Sequence, residues 1–177
     1  MKKAVISILL IIIFLIIYFL QSNFFSWFNL AGVMPNLFII LTLMIGLFSG
    51  KTRGMMFGII FGIGLDFFIG KNIGISGIML GLIGFLGGYL DKNFSKDSRF
   101  TLILMIILST CLYEIGNYTF EYFINGSRME LITFIKILII ENIYHIILTI
   151  IFYPMLLKLG YQLEKNLKEN KILTRYF

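Results

Sequence analysis

The chain is poor in the residues that build disulfides, metal sites and charged soluble surfaces. Of its 177 residues, one is cysteine, one is histidine and only 14% are charged. The lone Cys111 cannot form an intramolecular disulfide, and a single histidine cannot build a histidine-rich metal site. In contrast, 59% of the residues are hydrophobic and the mean hydropathy is +0.95, far above the values of globular domains. The composition therefore predicts an integral membrane protein without a soluble domain of any size.

The apolar residues are grouped into runs that are long enough to cross a bilayer. A hydrocarbon core of about 30 Å needs about 20 mostly apolar residues per helix. Six such runs cover residues 4–20, 33–49, 54–70, 73–90, 100–124 and 131–157. We therefore predict an all-α polytopic membrane protein, a single integral membrane domain over residues 1–177 with six transmembrane helices. Residues 158–177 form an amphipathic tail, for which a position along the cytoplasmic membrane surface is favoured over contact with a partner helix.

Lysine and arginine are distributed unevenly between the connections. One set of alternate connections holds Lys2, Lys3, Lys51, Arg53, Lys92, Lys96, Arg99 and the basic residues of the tail. The opposite set holds only Lys71 and Arg128. The positive-inside rule therefore places both termini in the cytoplasm. The net charge of +6 fits this topology and an attraction to anionic lipids, and no basic domain is present that would bind nucleic acid.

Glycine recurs every three or four residues through the third and fourth runs. One series consists of Gly46, Gly50, Gly54, Gly58 and Gly62, and the other of Gly70, Gly74, Gly77, Gly81, Gly84 and Gly88. On a helix, each series forms a smooth stripe that a second backbone can approach closely. For any single glycine, packing between the two helices of a hairpin is favoured. The full series covers more surface than one hairpin contact needs, so docking of a partner's membrane helix stays open.

Asp66 is the one acid within the third and fourth runs, and it lies near the C-terminal end of its helix. The helix macrodipole disfavours a negative charge there. Lys71, Lys136 or the backbone amides of residues 70–74 could offset this cost. A structural cap that ties the end of the hairpin is favoured over a proton or ion ligand, because no second acid in these runs could form a relay.

The fifth and sixth runs carry polar residues at helical spacing. Glu114 and Asn117 share a face with Glu121, and Glu141 shares a face with His145. Glu114 and Glu141 each lie about ten residues, roughly 15 Å, from the outer end of their runs, so we expect one buried polar layer. A polar core that specifies helix register, and that could line a cavity, is favoured over ligand binding and over proton-coupled transport. We predict no catalysis, no metal and no cofactor here, because "ENIYH" lacks the order of zinc-protease motifs.

Residues 34–90 resemble the core of the MreD family of rod shape-determining proteins. The second run begins with Pro-Asn-Leu and is followed by a basic turn. The third run is rich in glycine and leads into the motif Gly-x-x-Leu-Asp, and the fourth run is again rich in glycine. The matching residues are Pro35, Asn36, Gly58, Gly62, Leu65, Asp66, Gly70, Ile73 and Gly74. The length, the number of runs and the basic tail agree as well, whereas the second half matches only in hydropathy.

The resemblance implies a bacterial inner-membrane protein of the cell-wall elongation machinery. Such a protein would be a non-catalytic scaffold that binds an MreC-like bitopic membrane protein, together with an MreB-like filament and the lateral-wall transglycosylase and transpeptidase. We expect partner docking or hairpin shaping to depend on Gly58, Gly62, Leu65, Asp66, Gly70, Gly74, Gly77 and Gly81. The buried polar layer of Glu114, Asn117, Glu141 and His145 gains no role from the resemblance.

The resemblance also implies a similarity to the six-helix fold of substrate-binding subunits of energy-coupling-factor transporters. The alternative function is therefore that of a vitamin-binding subunit of an importer. Those subunits dock their partner through small residues in the first span, whereas here the first span is bulky throughout after Ser7. We also expect its outward connection to lack the polar and charged residues that a vitamin site would need. The scaffold is the favoured reading.

Overall fold

The computed structural model describes residues 2–69, 74–90, 98–126 and 130–173, with side chains between residues 8 and 165 of these ranges. Within them, the chain is helical and contains no strand beyond one isolated bridge. The helices are α1 (Lys2–Phe19), α2 (Leu37–Ser49), α3 (Lys51–Ile69), α4 (Ile75–Leu90), α5 (Arg99–Asn125) and α6 (Leu131–Leu173). The predicted all-α polytopic fold is confirmed. We call the two ends of the bundle the Asp66 end and the Lys51 end, after residues of α3.

Four helical segments of the described chain are long and apolar enough to cross a membrane. They are Ile8–Trp27, Lys51–Ile69, Arg99–Ile124 and Leu131–Lys165. The other two helices, α2 and α4, are apolar but shorter, with 13 and 16 residues. The helices support a multi-pass membrane protein. The number of crossings, the cytoplasmic position of the termini and the single-domain organisation stay predictions.

The two short helices form the centre of the bundle. In α2, Phe38, Ile39 and Leu43 are fully buried, and in α4 the same holds for Leu80 and Ile83. A helix that is apolar on all sides is buried, either in the interior of a protein or in the hydrocarbon core of a membrane. Accordingly, α2 packs against α3, α4, α5 and α6, and α4 packs against α2, α3 and α5.

The first helix continues beyond the predicted end of its span. A π-helical turn covers Leu20–Phe24 and an α-helical turn covers Phe25–Trp27. In this segment, Ser22 Oγ donates to the carbonyl of Tyr18, and Asn23 Nδ2 donates to that of Phe19. Side chains that bond to carbonyls of the preceding turn compete with the helical backbone ladder, which accounts for the local widening.

The last helix continues past Pro154 to Leu173, so residues that we predicted as a separate tail extend α6. The proline removes one backbone donor but does not end the helix. Beyond it, the ring of Tyr161 packs edge-on against Phe48 of α2 at 5.1 Å between centroids. Near the same end, the Arg99 guanidinium lies 5.0 Å from the centre of the Tyr153 ring. These contacts hold the Lys51-end part of α6 against α2 and α5.

Candidate functional site: a glycine-packed hairpin and an acid-lined cavity

The glycines of α3 place its backbone directly against the backbone of α4. A Cβ atom on Gly58 would lie 2.3 Å from the carbonyl oxygen of Leu80, and one on Gly62 would lie 2.3 Å from that of Ser76. Real Cβ atoms do not approach backbone atoms so closely. The two helices therefore touch along a line on which only glycine fits, as in other small-residue membrane interfaces.

A third helix joins this line at Gly84 of α4. A Cβ on Gly46 of α2 would lie 2.2 Å from the Gly84 carbonyl oxygen, and one on Gly54 of α3 would lie 2.3 Å from the same atom. Three helix backbones thus meet at one point. The two stripes that the sequence shows separately are parts of one internal contact.

The remaining predicted hairpin residues also face the interior of the protein. The stripe formed by Gly77 and Gly81 is covered by Ile63 and Ile59 of α3, whose Cγ1 atoms lie 3.0 and 2.7 Å from the positions of added Cβ atoms. Leu65 is part of the core, with 2% of its surface exposed. Gly74 has a φ of +108°, a conformation that suits glycine at the entry to α4. Gly70 and Lys71 lie outside the described residues.

Asp66 is buried, and its carboxylate binds the beginning of α4. Its Oδ2 accepts the backbone N–H groups of Gly74 at 2.8 Å and Ser76 at 3.1 Å. The first amides of a helix lack partners in the helix itself, and the macrodipole attracts negative charge there. The Gly74 amide is among the partners that the sequence leaves open, whereas the Ser76 amide lies beyond residues 70–74, and Lys136 is exposed on α6. Asp66 therefore ties the end of α3 to the start of α4.

A hydrogen bond carries this contact on to α5. The hydroxyl of Tyr113, which is 6% exposed, donates to Ser76 Oγ at 3.2 Å. Ser76 thus binds Asp66 through its amide and Tyr113 through its hydroxyl. The Asp66 end of three helices, α3, α4 and α5, is connected by polar contacts in a setting where water is scarce.

These contacts form one wall of a cavity of about 680 Å³ at the Asp66 end of the bundle. The described lining residues are Gln21, Gly32, Val33, Met34, Asn36, Asp66, Ile69, Ile75, Ser76, Tyr113, Glu114, Asn117, Tyr118, Glu121, Phe134, Ile137 and Glu141. The cavity is thus lined by Asp66 together with three members of the predicted polar layer, which the sequence places on separate helices. A volume of this order is typical of sites for small organic ligands, about 300–1,000 Å³.

Beneath the cavity lies the fourth member of the predicted layer, His145, which is fully buried. Its Nδ1 is 2.7 Å from Thr110 Oγ1 of α5, and that hydroxyl also donates to the carbonyl of Ile106. On the other side of the ring, Nε2 is 3.8 Å from Glu141 Oε1. At that distance the two groups do not form a hydrogen bond, and Nε2 has no other hydrogen-bond partner among the described residues. The polar layer thus joins α5 to α6 just below the cavity.

The connection between α1 and α2 closes one side of the cavity. Leu30 and Val33 exchange backbone hydrogen bonds at 3.2 and 3.0 Å around a tight turn. The central residues of that turn, Ala31 and Gly32, have positive φ angles. The hydroxyl of Tyr144 on α6 donates to the carbonyl of Phe28, so the connection is attached to the far wall.

Two lining residues, Gln21 and Asn36, were not among the predicted site residues. Gln21 Oε1 accepts the N–H of Leu37, and Asn36 Oδ1 accepts that of Phe38, both at 3.2 Å. Both side chains therefore cap the start of α2 while they line the cavity. They are the first and last residues of the uncharged connection "QSNFFSWFNLAGVMPN", where each adjoins an apolar run, and this position could have pointed to them.

No three His, Cys, Asp or Glu side chains in the described part of the chain converge on a possible metal site. We find no significant match among curated proteins or among solved structures. The sequence profile of the rod shape-determining protein MreD matches residues 2–162. Because this match covers most of the 177 residues, the chain belongs to the MreD family of rod shape-determining proteins.

Proposed function

We propose that the protein is a non-catalytic scaffold that links an MreC-like bitopic protein, an MreB-like filament and the lateral peptidoglycan synthase. The observation that carries the proposal is the family match over residues 2–162. The family is a structural part of the shape-determining MreBCD system in the inner membrane and is not a known enzyme family. A role in rod-shape determination and a general association with MreC and MreB follow from membership.

In this proposal, the packed hairpin of α3 and α4 fixes the shape that a partner recognises. Gly58 and Gly62 face inward, so the glycines themselves offer little surface to another protein. The opposite face of α3 is apolar and exposed at Met56 and Ile60. These positions are four residues apart and form one stripe. We infer that a transmembrane helix of the MreC-like partner docks on this stripe, with lipid as the alternative occupant.

Site-specific photo-crosslinking shows whether a partner protein or lipid occupies the exposed stripe of α3. A photoreactive amino acid at Ile60 would be compared with the same substitution at Ile147 of α6. The two side chains are similarly exposed, at 55% and 48%, and both belong to helices that are long enough to span the membrane. We expect a crosslink to the MreC-like partner from position 60 and none from position 147. Equal crosslinking from both positions, or none from position 60, would remove the docking face from the proposal.

A pull-down of the tagged full chain from its native host, with mass spectrometry, tests the scaffold itself. The MreC-like protein and the lateral-wall synthase in the eluate would support it. A second candidate, a vitamin-binding importer subunit, is favoured by one observation, the cavity at the Asp66 end. Against it, the first span is bulky throughout after Ser7, and its buried side carries Leu10 and Phe14. An ATP-binding-cassette module or a copurified vitamin would favour this second candidate.

A further inference from the structure

The cavity at the Asp66 end is unusually rich in carboxyl groups for a site inside a membrane protein. Asp66, Glu114, Glu121 and Glu141 all line it, and the described lining residues include no lysine, arginine or histidine. Two backbone amides already bind the Asp66 carboxylate. The glutamates come from the facing helices α5 and α6, so the acidic character of the cavity comes mainly from that side.

Two of these glutamates line the cavity from facing helices. Glu141 of α6 is 3% exposed, and Glu114 of α5 belongs to the same lining. Neighbouring carboxyl groups repel each other when both are ionised, and a cation between them relieves this repulsion, as a shared proton does. This part of the cavity, which we call its floor, therefore suits a positively charged group.

A separate observation also indicates a ligand at this floor. His145 is fully buried, and its Nε2 points to Glu141 without a hydrogen-bond partner among the described residues. A buried polar atom without a partner in a native structure calls for an explanation, and a bound ion or ligand is one of the recognised ones. The unsatisfied nitrogen lies on the cavity side of the polar layer, against the residue that forms the floor.

The walls of the cavity fit an organic cation better than a metal ion. The carboxyl groups are spread over the lining, and no three of them converge in the described chain. Between them lie aromatic rings, among which Tyr118 and Phe134 pack at 4.9 Å between centroids. Aromatic faces beside carboxylates bind ammonium and guanidinium groups through cation–π contacts and charged hydrogen bonds.

We propose that the acid-lined cavity binds an organic cation, an ammonium or guanidinium group carried on an extended body. Glu114 and Glu141 bind the charged group at the floor, and Tyr118 and Phe134 contact the body near the opening. The same chemistry has two sources, a basic side chain from a segment of a partner protein or a free small amine. The first source rests on the proposed scaffold function, and the second does not.

Calorimetric titration of the purified full chain in nanodiscs tests the proposal. Agmatine and spermidine are the probes, and 1,4-butanediol is an uncharged control with the same four-carbon spacer as agmatine. We expect saturable binding of the amines and none of the diol. Glu114→Gln and Glu141→Gln should each weaken binding by at least about tenfold, the equivalent of one charged hydrogen bond. Glu121→Gln, a half-buried lining position, serves as a further cavity variant if a floor variant does not fold.

Glu130→Gln is the matched control, because Glu130 precedes α6 at the same end of the bundle but does not line the cavity. It should bind agmatine as the native chain does. Binding of the diol as tightly as agmatine would overturn the proposal, as would the absence of binding. Equal binding by the native chain and by the folded cavity variants would do the same.

Two further measurements assign the source of the cation. Release of a copurified partner from the tagged chain by millimolar agmatine would assign the cavity to a basic side chain. A low-mass amine in the extract of the purified protein would assign it to a free ligand. If amines bind but no elongation protein copurifies, the cation site is supported and the scaffold function is refuted. If the partners copurify but no amine binds, the scaffold function is supported and the cation site is refuted.

Discussion

Replacing Gly58 with alanine tests whether the hairpin of α3 and α4 depends on direct backbone contact. The added Cβ would lie 2.3 Å from the Leu80 carbonyl oxygen and 2.9 Å from the Gly81 Cα. Both are backbone atoms in the middle of a helix, so neither can rotate away. Ordinary contact begins at 3.4 Å, and the helices would have to separate locally by about 1 Å.

The cost of this separation can be estimated from packing. A gap of about 0.5–1 Å forfeits about a quarter to a half of each dispersion contact that spans it. Overpacking in a tight core costs about 1–3 kcal/mol, and a clash with backbone belongs at the upper end of that range. Alanine recovers about 0.5–1 kcal/mol over glycine within a helix. We therefore expect Gly58→Ala to lower the free energy of unfolding by about 2 kcal/mol.

Gly64→Ala is the matched control on the same helix. It has the same gain in helix propensity, but its added Cβ would meet the tip of the Phe14 ring at 3.0 Å, so a side-chain atom has to give by a few tenths of an ångström rather than a helix backbone by about 1 Å. We expect its free energy of unfolding to fall by no more than about 0.5 kcal/mol. Unfolding of both variants by sodium dodecyl sulfate in mixed micelles, followed by circular dichroism, measures the difference. Equal losses for the two variants would refute the reasoning.

Two further substitutions test the polar contacts in the same unfolding assay. Asp66→Asn keeps an oxygen that can accept the amides of Gly74 and Ser76 and should retain most of the stability, whereas Asp66→Ala should lose about 2–4 kcal/mol by leaving both unsatisfied. The reasoning fails if the two variants unfold alike. Thr110→Val removes the partner of His145 Nδ1 and should cost about 1–3 kcal/mol, while Thr110→Ser should cost less. A valine variant as stable as the native chain would contradict the assigned contact.

The contact between α3 and α4 could be predicted because it depends on local spacing. Glycines four residues apart lie on one face of a helix whatever surrounds them, and Asp66 is only eight residues from the amide of Gly74. The spacing shows which residues share a face but not what that face meets. That Gly46 of α2 reaches the same point as Gly84 required the arrangement of three helices.

The cavity could not be predicted, because its walls come from distant parts of the chain. Gln21 and Asn36 are brought to Glu141 by the turn between α1 and α2. Nothing in the spacing of Glu114 and Asn117 indicates that Asp66 lies in the same lining, since α5 reaches this cavity by packing against α2, α4 and α6. The sequence alone identifies buried polar residues by type, while their common site depends on tertiary packing.

Because the glycines of α3 face the interior of the protein, only some substitutions on this helix can test whether a partner helix docks there. A leucine at Gly62 would have its Cβ 2.3 Å from the Ser76 carbonyl oxygen, so it would force α3 and α4 apart before any partner arrived. A partner lost from Gly62→Leu would therefore be explained by a disrupted hairpin as well as by a lost contact. At Ile60, 55% of the surface is exposed, and a change there leaves the backbone contact between α3 and α4 intact. Docking and folding can thus be separated at Ile60, whereas at Gly62 they change together.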